Sequence, residues 1–224
     1  MENFKPTKYT LSCVATGREF DDAGWILDDA ECKTPSLVRA NYEKKQIEVK
    51  PDSYGFYKFC DWLPVRRILD GSSAPVTYKS EALAKHLGLT NLWITLNGYC
   101  PRKGVKMTTC SFKETEAYSV CARIDEKEDR VLVVASAGNT ARAFAKVCSD
   151  NNIKLLLAVP ADNLDALWFM EPLNDCVKLI ACEKPGDYFD AINLSNIALK
   201  SSKFYAEGGA KNIARRDGMS TTVL

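Results

Sequence analysis

Residues 131–148 read VLVVASAGNTARAFAKVC, and this run contains a strand signal, a turn signal and a helix signal in direct succession. VLVVA, residues 131–135, is apolar and largely β-branched, which is typical of a strand buried on both faces. SAGNT, residues 136–140, predicts a tight turn, and the residues after it repeat apolar side chains at helical spacing. A buried strand that leads directly into an amphipathic helix indicates an α/β fold.

The rest of the C-terminal half continues the same alternation. Three further strands are predicted, at residues 154–160 (KLLLAVP), 177–182 (VKLIAC) and 203–208 (KFYAEG). Helices are predicted at residues 164–170 (LDALWFM) and 187–199 (DYFDAINLSNIAL), and a last helix within residues 210–224 (AKNIARRDGMSTTVL). Strands and helices that alternate with short connections predict a parallel sheet covered by helices.

The N-terminal part of the chain gives weaker signals. Short strand signals occur at residues 9–14 (YTLSCV), 36–42 (SLVRANY) and 91–96 (NLWITL). The first 60 residues or so are otherwise irregular. SEALAKHL, residues 80–87, predicts a helix with Ser80 as its N-cap and Gly88 just past its end. Residues 98–109 are predicted to form a loop.

A lysine occupies an unusual place in the segment SFKETEAYSVC, residues 111–121. Ser111 followed by Glu114 predicts a capping box, with an apolar stripe behind it at Ala117, Val120 and Cys121. Lys113 then lies in the first turn, where the helix dipole disfavours a second positive charge. A neutral, nucleophilic amine would gain from that position, whereas a solvated lysine would not. On this motif alone, a reactive amine and an exposed surface lysine both stay open.

The composition argues against several classes of protein. Thirty basic and 29 acidic residues among 224 leave a net charge of +1, which argues against a nucleic-acid partner. The chain has no apolar run of about 18 residues, so no membrane partner is predicted. Its first residues lack the apolar centre of a signal peptide, so a cytoplasmic location is predicted.

Cysteine and histidine usage narrows the chemistry further. The nine cysteines include no C-x-x-C pair, which predicts free, mostly buried thiols. The single histidine, His86, is predicted on an exposed helix face. One histidine leaves almost no material for Ser-His-Asp chemistry or a histidine-rich metal site. If the chain is catalytic, another group must supply the chemistry.

The SAGNT turn stands where ligands bind in α/β sheets, at the carboxyl end of a strand. Backbone N–H groups of such a turn form an anion site with the helix N-terminus, and Gly138 allows close approach. Ser136, Asn139 and Thr140 can donate hydrogen bonds, but the same residue types are the usual helix caps. Ligand binding and plain capping are equally compatible with the turn. Neither G-x-G-x-x-G nor a P-loop motif is present.

SFKETEA and SAGNTARAFA, taken together, resemble a known family. The chain is similar to the fold-type II pyridoxal-phosphate enzymes, and APVTYKSEALAKHLGLTNLWIT and YAEGGAKNIA look like their threonine-synthase branch. The resemblance covers nearly the whole chain. It implies an α/β, tryptophan synthase beta-like fold: a parallel sheet with helices on both faces, here expected to be incomplete at the C-terminus.

The resemblance also implies roles for particular residues. Lys113 matches the catalytic lysine, which holds pyridoxal 5'-phosphate covalently and moves the substrate α-proton. Asn139 matches the asparagine that binds the ring oxygen of the cofactor. Ser136, Gly138 and Thr140 match the loop that takes the substrate carboxylate. No metal site is expected.

The strongest resemblance within that branch is to enzymes that make cysteate. It implies a β-replacement that converts O-phosphoserine and sulfite, both small anionic substrates, to cysteate and phosphate. The alternatives are threonine synthesis from O-phosphohomoserine, an inactive truncated remnant, and an interaction protein without activity. Candidates to neutralise the anions are Arg102, Lys103, Lys106, Arg215 and Arg216, although each is also compatible with an ordinary solvated residue. A homo-oligomer is implied for the full-length protein.

The resemblance implies a division into domains, and the sequence differs from the family pattern at several points. Residues 1–89 are expected to form an N-terminal extension and part of the large domain. Residues 90–205 form the small, mobile domain with Lys113 and Asn139, and residues 206–224 start a truncated large-domain segment.

The later glycine-rich loop for the cofactor phosphate has no counterpart here. The two cysteine pairs of a small zinc ribbon, found in many relatives, are reduced to two residues. Cys13 and Cys32 remain, and Thr16 and Asp29 stand near the other two positions.

Overall fold

The computed structural model describes residues 4–224 and builds them around a four-stranded parallel sheet. The strands, in chain order, are β1 Tyr9–Cys13, β2 Glu19–Phe20, β3 Val38–Tyr42, β4 Val76–Lys79, β5 Trp93–Leu96, β6 Tyr99–Cys100, β7 Val105–Lys106, β8 Val131–Ala135, β9 Leu155–Pro160, β10 Val177–Cys182 and β11 Phe204–Ala206. The α-helices are α1 Glu81–Leu87, α2 Lys113–Arg123, α3 Asn139–Asp150, α4 Tyr188–Ala198 and α5 Ile213–Ser220.

The central sheet has the order β10-β9-β8-β11, and all its neighbours run parallel. Helix α3 connects β8 to β9, whereas α4 brings the chain from β10 back across the sheet to β11. Because parallel crossovers are right-handed, these opposite directions put α3 and α4 on opposite faces. The predicted fold class, a parallel sheet with helices on both faces, is confirmed.

The main hydrophobic core lies between this sheet and helices α2 and α3. Leu132, Val134, Leu155 and Leu157 project from the sheet toward Phe144 and other core side chains, and all five are at most 2% exposed. Full burial of such a side chain stabilises the fold by about 1.5–3 kcal/mol. Helix α2 packs between α3 and α5. This packing gives α2 a fixed position, with Lys113 at its first residue.

Smaller antiparallel sheets form the remainder of the strand structure. β1 pairs with β2 and β3, β4 pairs with β5, and β6 pairs with β7. The predicted strands at residues 9–14, 36–42 and 91–96 are therefore present. Helix α1 follows Ser80 and ends at Gly88, which has a φ of 68°. His86 is exposed on α1. The predicted loop at residues 98–109 instead contains the β6–β7 hairpin.

One helix prediction was wrong. Residues 164–170 are not a helix: a 3-10 turn spans Ala161–Ala166, and residues 167–170 are irregular. Trp168 instead contacts Arg142, whose guanidinium carbon lies 4.1 Å from the centroid of the Trp168 ring. The predicted last helix is present and is eight residues long, with Asn212 as its N-cap. Within residues 4–224, no helix combines the length and apolarity that a membrane span requires.

Candidate functional site

Lys113 is the first residue of α2, so its predicted place in the first turn is correct, but the predicted capping box does not form. Ser111 Oγ accepts a hydrogen bond from the Lys113 backbone N–H, at 3.2 Å. Glu114 turns away and accepts from Thr109 N and Thr109 Oγ1, at 2.9 and 2.8 Å. Glu114 is fully buried, and burial raises the pKa of its carboxyl group. Such a group binds the donors available inside the fold.

The Lys113 side chain has a carboxylate partner that sequence reasoning missed. Its Nζ lies 2.6 Å from Glu116 Oε1, and its side chain is 25% exposed. In the resting structure Lys113 is therefore engaged in an ion pair with a carboxylate of its own helix. The sequence contained the signal for this pair, because Glu116 lies three residues later on the same helix.

Glu116 links Lys113 to a longer chain of charged groups. Its second oxygen, Oε2, accepts from Arg215 Nε at 2.7 Å. Arg215 also donates to Glu207 Oε2 at 2.8 Å and to Thr140 Oγ1 at 3.1 Å. We call Lys113, Glu116, Arg215 and Glu207 the charge ladder. It joins the start of α2 to the start of α3.

Burial and neighbouring charges shift the pKa values of two groups in the charge ladder, Glu207 and Arg215. Burial raises the pKa of Glu207, although Arg215 works in the opposite direction. Burial also works against the charge on Arg215, but Glu207 and Glu116 outweigh it and raise the pKa of the guanidinium group. Arg215 is thus a permanently charged bridge between two carboxylates.

The turn at residues 136–140 caps helix α3, which is one of the two roles that its sequence allowed. Ser136 Oγ accepts from Gly138 N at 3.3 Å and from Ala141 N at 3.1 Å, so Ser136 caps α3. A side chain at Gly138 would meet no atom within 4 Å, which leaves open space beside the turn. Thr140 Oγ1 accepts from Arg215 and keeps its own hydrogen for another acceptor.

Asn139 is exposed, and the orientation of its amide is fixed by a neighbour. Arg142 Nη2 donates to Asn139 Oδ1 at 3.0 Å and to the Thr109 carbonyl at 2.5 Å. Because a guanidinium group can only donate, the amide oxygen must face Arg142, and Nδ2 is left for another partner. Arg142 therefore forms a second bridge between the turn and the segment that precedes Lys113.

The predicted anion-neutralising residues do not form a cluster: Arg215 reaches this site but is already paired with Glu116 and Glu207. Arg215 belongs to the charge ladder, and Arg216 donates to the carbonyls of Ala210 and Val38. Lys103 Nζ lies 4.0 Å from the centroid of the Tyr78 ring. Lys103 and Lys106 line a cavity of about 700 Å³ whose lining includes neither Lys113 nor residues 136–140. Arg102 is exposed.

The cysteines are free, four of them buried, four half-buried and one exposed. Cys121 Sγ and Cys148 Sγ lie 3.7 Å apart without a bond. Asp29, near the predicted zinc-ribbon positions, is bound by Arg18 Nε at 3.1 Å. In the described part of the chain, no three His, Cys, Asp or Glu side chains are grouped so as to hold a metal ion.

These features define a class of protein: an α/β fold in which charged side chains link a lysine amine to an asparagine-containing turn at the carboxyl end of a parallel strand. A family model described as pyridoxal-phosphate dependent enzyme matches residues 73–224, and the chain belongs to that family. The family's cofactor is pyridoxal phosphate, as predicted.

Several curated relatives carry one name. The chain is 40% identical over 217 residues to the cysteate synthase of Methanosarcina acetivorans, covering 97% of this chain and 51% of the relative. It is 44% identical over 219 residues to that of Methanococcoides burtonii, with coverages of 97% and 51%. For Methanocella paludicola the identity is 43% over 218 residues, with coverages of 96% and 50%. The chain thus spans about half the length of these relatives.

One solved structure is also similar. The pyridoxal 5'-phosphate-dependent aspartate racemase superposes with a TM-score of 0.46 and 16% identity, covering 67% of this chain and 45% of the racemase. This likeness is too distant to support a statement about function.

The residues present fit a pyridoxal-phosphate group. The space beside Gly138 would admit a flat ligand, and Asn139 Nδ2 is available to an oxygen acceptor. The amine of a lysine side chain can form a covalent bond with a carbonyl carbon, and Lys113 supplies that amine here. Lys113 would hold the cofactor covalently, and Asn139 would orient its ring.

Proposed function

We propose that this chain forms part of an enzyme that converts O-phosphoserine and sulfite to cysteate and phosphate. The observation that carries the proposal is the double bridge between the turn at residues 136–140 and residues 109–116, the segment that contains Lys113. One bridge runs through Glu116 and Arg215, and the other runs from Thr109 through Arg142. The choice of cysteate as the product rests on the relatives that are named cysteate synthase.

The proposed reaction is a β-replacement. The substrate loses its α-proton, the bond between Cβ and the phosphate oxygen breaks, and the sulfur of sulfite bonds to Cβ. The α-carbon is then protonated again, and inorganic phosphate is released. When bound, pyridoxal phosphate supplies the electron sink for this chemistry.

The residues of the chain divide the remaining work. Lys113 moves the proton at the substrate α-carbon, which requires an amine held at a defined place. The charge ladder provides that place, because Glu116 is itself fixed by Arg215. Ser136, Gly138 and Thr140 bind the substrate carboxylate, and Asn139 orients the cofactor ring.

An absorption spectrum of the 224-residue chain with added pyridoxal phosphate tests the cofactor site. We expect a visible band in the wild-type chain and none in Lys113→Ala. Lys106→Ala is the matched control, since Lys106 lies in the same segment but lines another cavity. Borohydride reduction followed by peptide mass spectrometry should place the adduct on Lys113. An unchanged band in Lys113→Ala, or none in wild type, would contradict the proposed cofactor site in this chain.

Substrate choice needs a separate assay. We expect phosphate release from O-phosphoserine that depends on sulfite, with cysteate as the product. Phosphate release from O-phosphohomoserine in water, with threonine as the product, would overturn the proposed reaction and assign threonine synthesis instead. No turnover of either substrate would show that this chain alone catalyses neither reaction. The proposal includes a cytoplasmic homo-oligomer, which sedimentation of the full-length protein tests.

A further inference from the structure

Arg142 is a buried positive charge without an acidic partner. It is only 7% exposed, yet it forms no ion pair with any residue from 4 to 224. The fully buried Arg123 differs, because it pairs with Asp22 at 2.6 Å, and the half-buried Arg215 pairs with Glu116 and Glu207. An unpaired charge inside a protein is costly, so it calls for a missing counter-charge.

Arg142 Nε is a buried donor without an acceptor, and Thr108 Oγ1, one residue before Thr109, is also buried without a partner. Thr108 lines a cavity of about 250 Å³ together with Thr109 and Trp168, the two residues through which Arg142 adjoins it, and with Asp150 and Glu171. A buried donor left without an acceptor indicates a ligand that supplies one.

The guanidinium group is held ready for a ligand. The Trp168 ring lies over one face, and the Thr109 carbonyl and Asn139 Oδ1 bind Nη2. Burial lowers the pKa of Arg142, but a guanidinium group stays charged in proteins. Its two contacts also place it beside the proposed cofactor residue Asn139 and the loop that leads to Lys113.

We propose that Arg142 recognises an oxyanion group of a substrate, either sulfite or the phosphate of the leaving group. A planar guanidinium group binds the oxygens of such anions with strong, charge-assisted hydrogen bonds. Of the basic residues singled out by the sequence, Arg215 is at this site but is already paired with two carboxylates, whereas Arg142 has an unmet charge there. This inference rests on the proposed function for its choice of anions.

Calorimetric titration of the chain without cofactor tests the proposal, using sodium phosphate and sodium sulfite against sodium chloride at matched ionic strength. We expect phosphate or sulfite to bind the wild-type chain and to bind Arg142→Gln at least about tenfold more weakly. Arg216→Gln is the matched control. It also removes one positive charge and two contacts with oxygen acceptors, but its contacts lie with Ala210 and Val38. It should bind the anions like wild type.

Each outcome decides the proposal. Tighter binding of sulfite assigns Arg142 to the incoming substrate, and tighter binding of phosphate assigns it to the leaving group. No binding to wild type, or equal losses in both variants, overturns the inference. Arg142→Lys covers the case in which the glutamine variant does not fold: it keeps the charge, and it should bind more weakly than wild type but measurably.

The cofactor test separates this inference from the proposed function. Anion binding that depends on Arg142 in a chain that forms no Lys113 adduct would preserve the anion site and reject the proposed chemistry. A Lys113 adduct in a chain that binds neither anion would do the opposite. A purely structural role for Arg142 predicts lower stability of Arg142→Gln with unchanged anion affinity.

Discussion

Arg215 is the residue on which the charge ladder depends. It is the shared cation of Glu116 and Glu207, whose side chains are 2% and 7% exposed. Arg215→Met leaves two buried carboxylates without that cation. We expect the free energy of unfolding to fall by about 3–5 kcal/mol, because removal of one partner strands the other charge. Urea unfolding at neutral pH measures this loss.

The control for Arg215 is an exposed ion pair on the same segment. Lys211 pairs with Asp28 at 2.8 Å, and both side chains are more than half exposed. Lys211→Met should cost about 0–1 kcal/mol. Adding Glu207→Gln to Arg215→Met should recover part of the loss. A cost for Arg215→Met no larger than that for Lys211→Met would show that the ladder does not stabilise the fold.

At the residue scale, the sequence identified side chains but not their partners. Lys113 and Asn139 were predicted as site residues because each belongs to a recognisable motif. The contact between Glu116 and Arg215 joins residues 99 positions apart, and no local pattern reports it. Arg142 did leave a signal: it interrupts the apolar run ARAFA, and an arginine on the buried face of a helix requires a partner.

At the scale of elements, α5 lies close against α2 at Gly218. A methyl group there would come within 2.7 Å of the Thr115 carbonyl and 2.7 Å of Ser119 Cβ. Gly218→Ala should therefore cost about 1–3 kcal/mol, despite the better helix propensity of alanine. Chemical unfolding checks this, with the exposed Met219→Ala on the same helix as control. A stabilised Gly218→Ala variant would mean that the two helices can separate at little cost.

The contact between α5 and β3 makes the free energy of unfolding depend on pH. Tyr42 Oη donates to Asp217 Oδ2 at 2.5 Å, and burial raises the pKa of Asp217 from 3.8 to about 6. The folded state thus holds this proton more tightly than the unfolded chain. The contribution of Asp217 to stability is fully present below pH 3.8 and is lost as the pH rises through about 6, by about 3 kcal/mol at most.

Asp217→Asn should remove that loss. Compared with wild type, the variant should gain free energy of unfolding between pH 4 and pH 7, while the exposed Asp175→Asn should run parallel to wild type. Urea midpoints at intervals across this range give the comparison. Parallel curves for wild type and Asp217→Asn would show that Asp217 titrates alike in the folded and unfolded states.

Element types were more predictable than element ends. The buried strands β8, β9 and β10 were predicted because continuous apolar runs have few other uses in an α/β chain. The predicted helix at residues 164–170 is absent, and Trp168 instead contacts Arg142, a tertiary contact that local spacing does not reveal. The capping box failed for a related reason: Glu114 found stronger donors in Thr109.

At the scale of the whole molecule, Arg123 attaches the N-terminal segment to the core. It is fully buried, and it donates to both oxygens of Asp22, to the Ile26 carbonyl and to Asn212 Oδ1. Arg123→Met should cost about 3–5 kcal/mol and increase proteolysis near residues 22–26. Limited proteolysis with mass spectrometry locates the cuts. Unchanged cleavage there would show that other contacts hold the segment.

The arrangement of the whole molecule was partly accessible from the sequence. The alternating pattern indicated a parallel sheet with helices, but not that β11 returns beside β8, because strand order depends on long-range pairing. The division into residues 1–89, 90–205 and 206–224 stays a prediction. The main core includes side chains from Phe56 to Ala214, so it draws on all three of these ranges.

The charge ladder has a consequence for proton counting. Its two cations and two carboxylates sum to zero while Lys113 carries its charge. Any reaction that makes Lys113 a neutral group leaves one excess negative charge in a half-buried place. Burial already raises the pKa of Glu207, which is the direction that favours proton uptake there. Under the proposed role of Lys113, capture of a carbonyl compound and protonation of a neighbouring carboxylate would form one linked equilibrium, in which acidity sets how firmly the compound is retained.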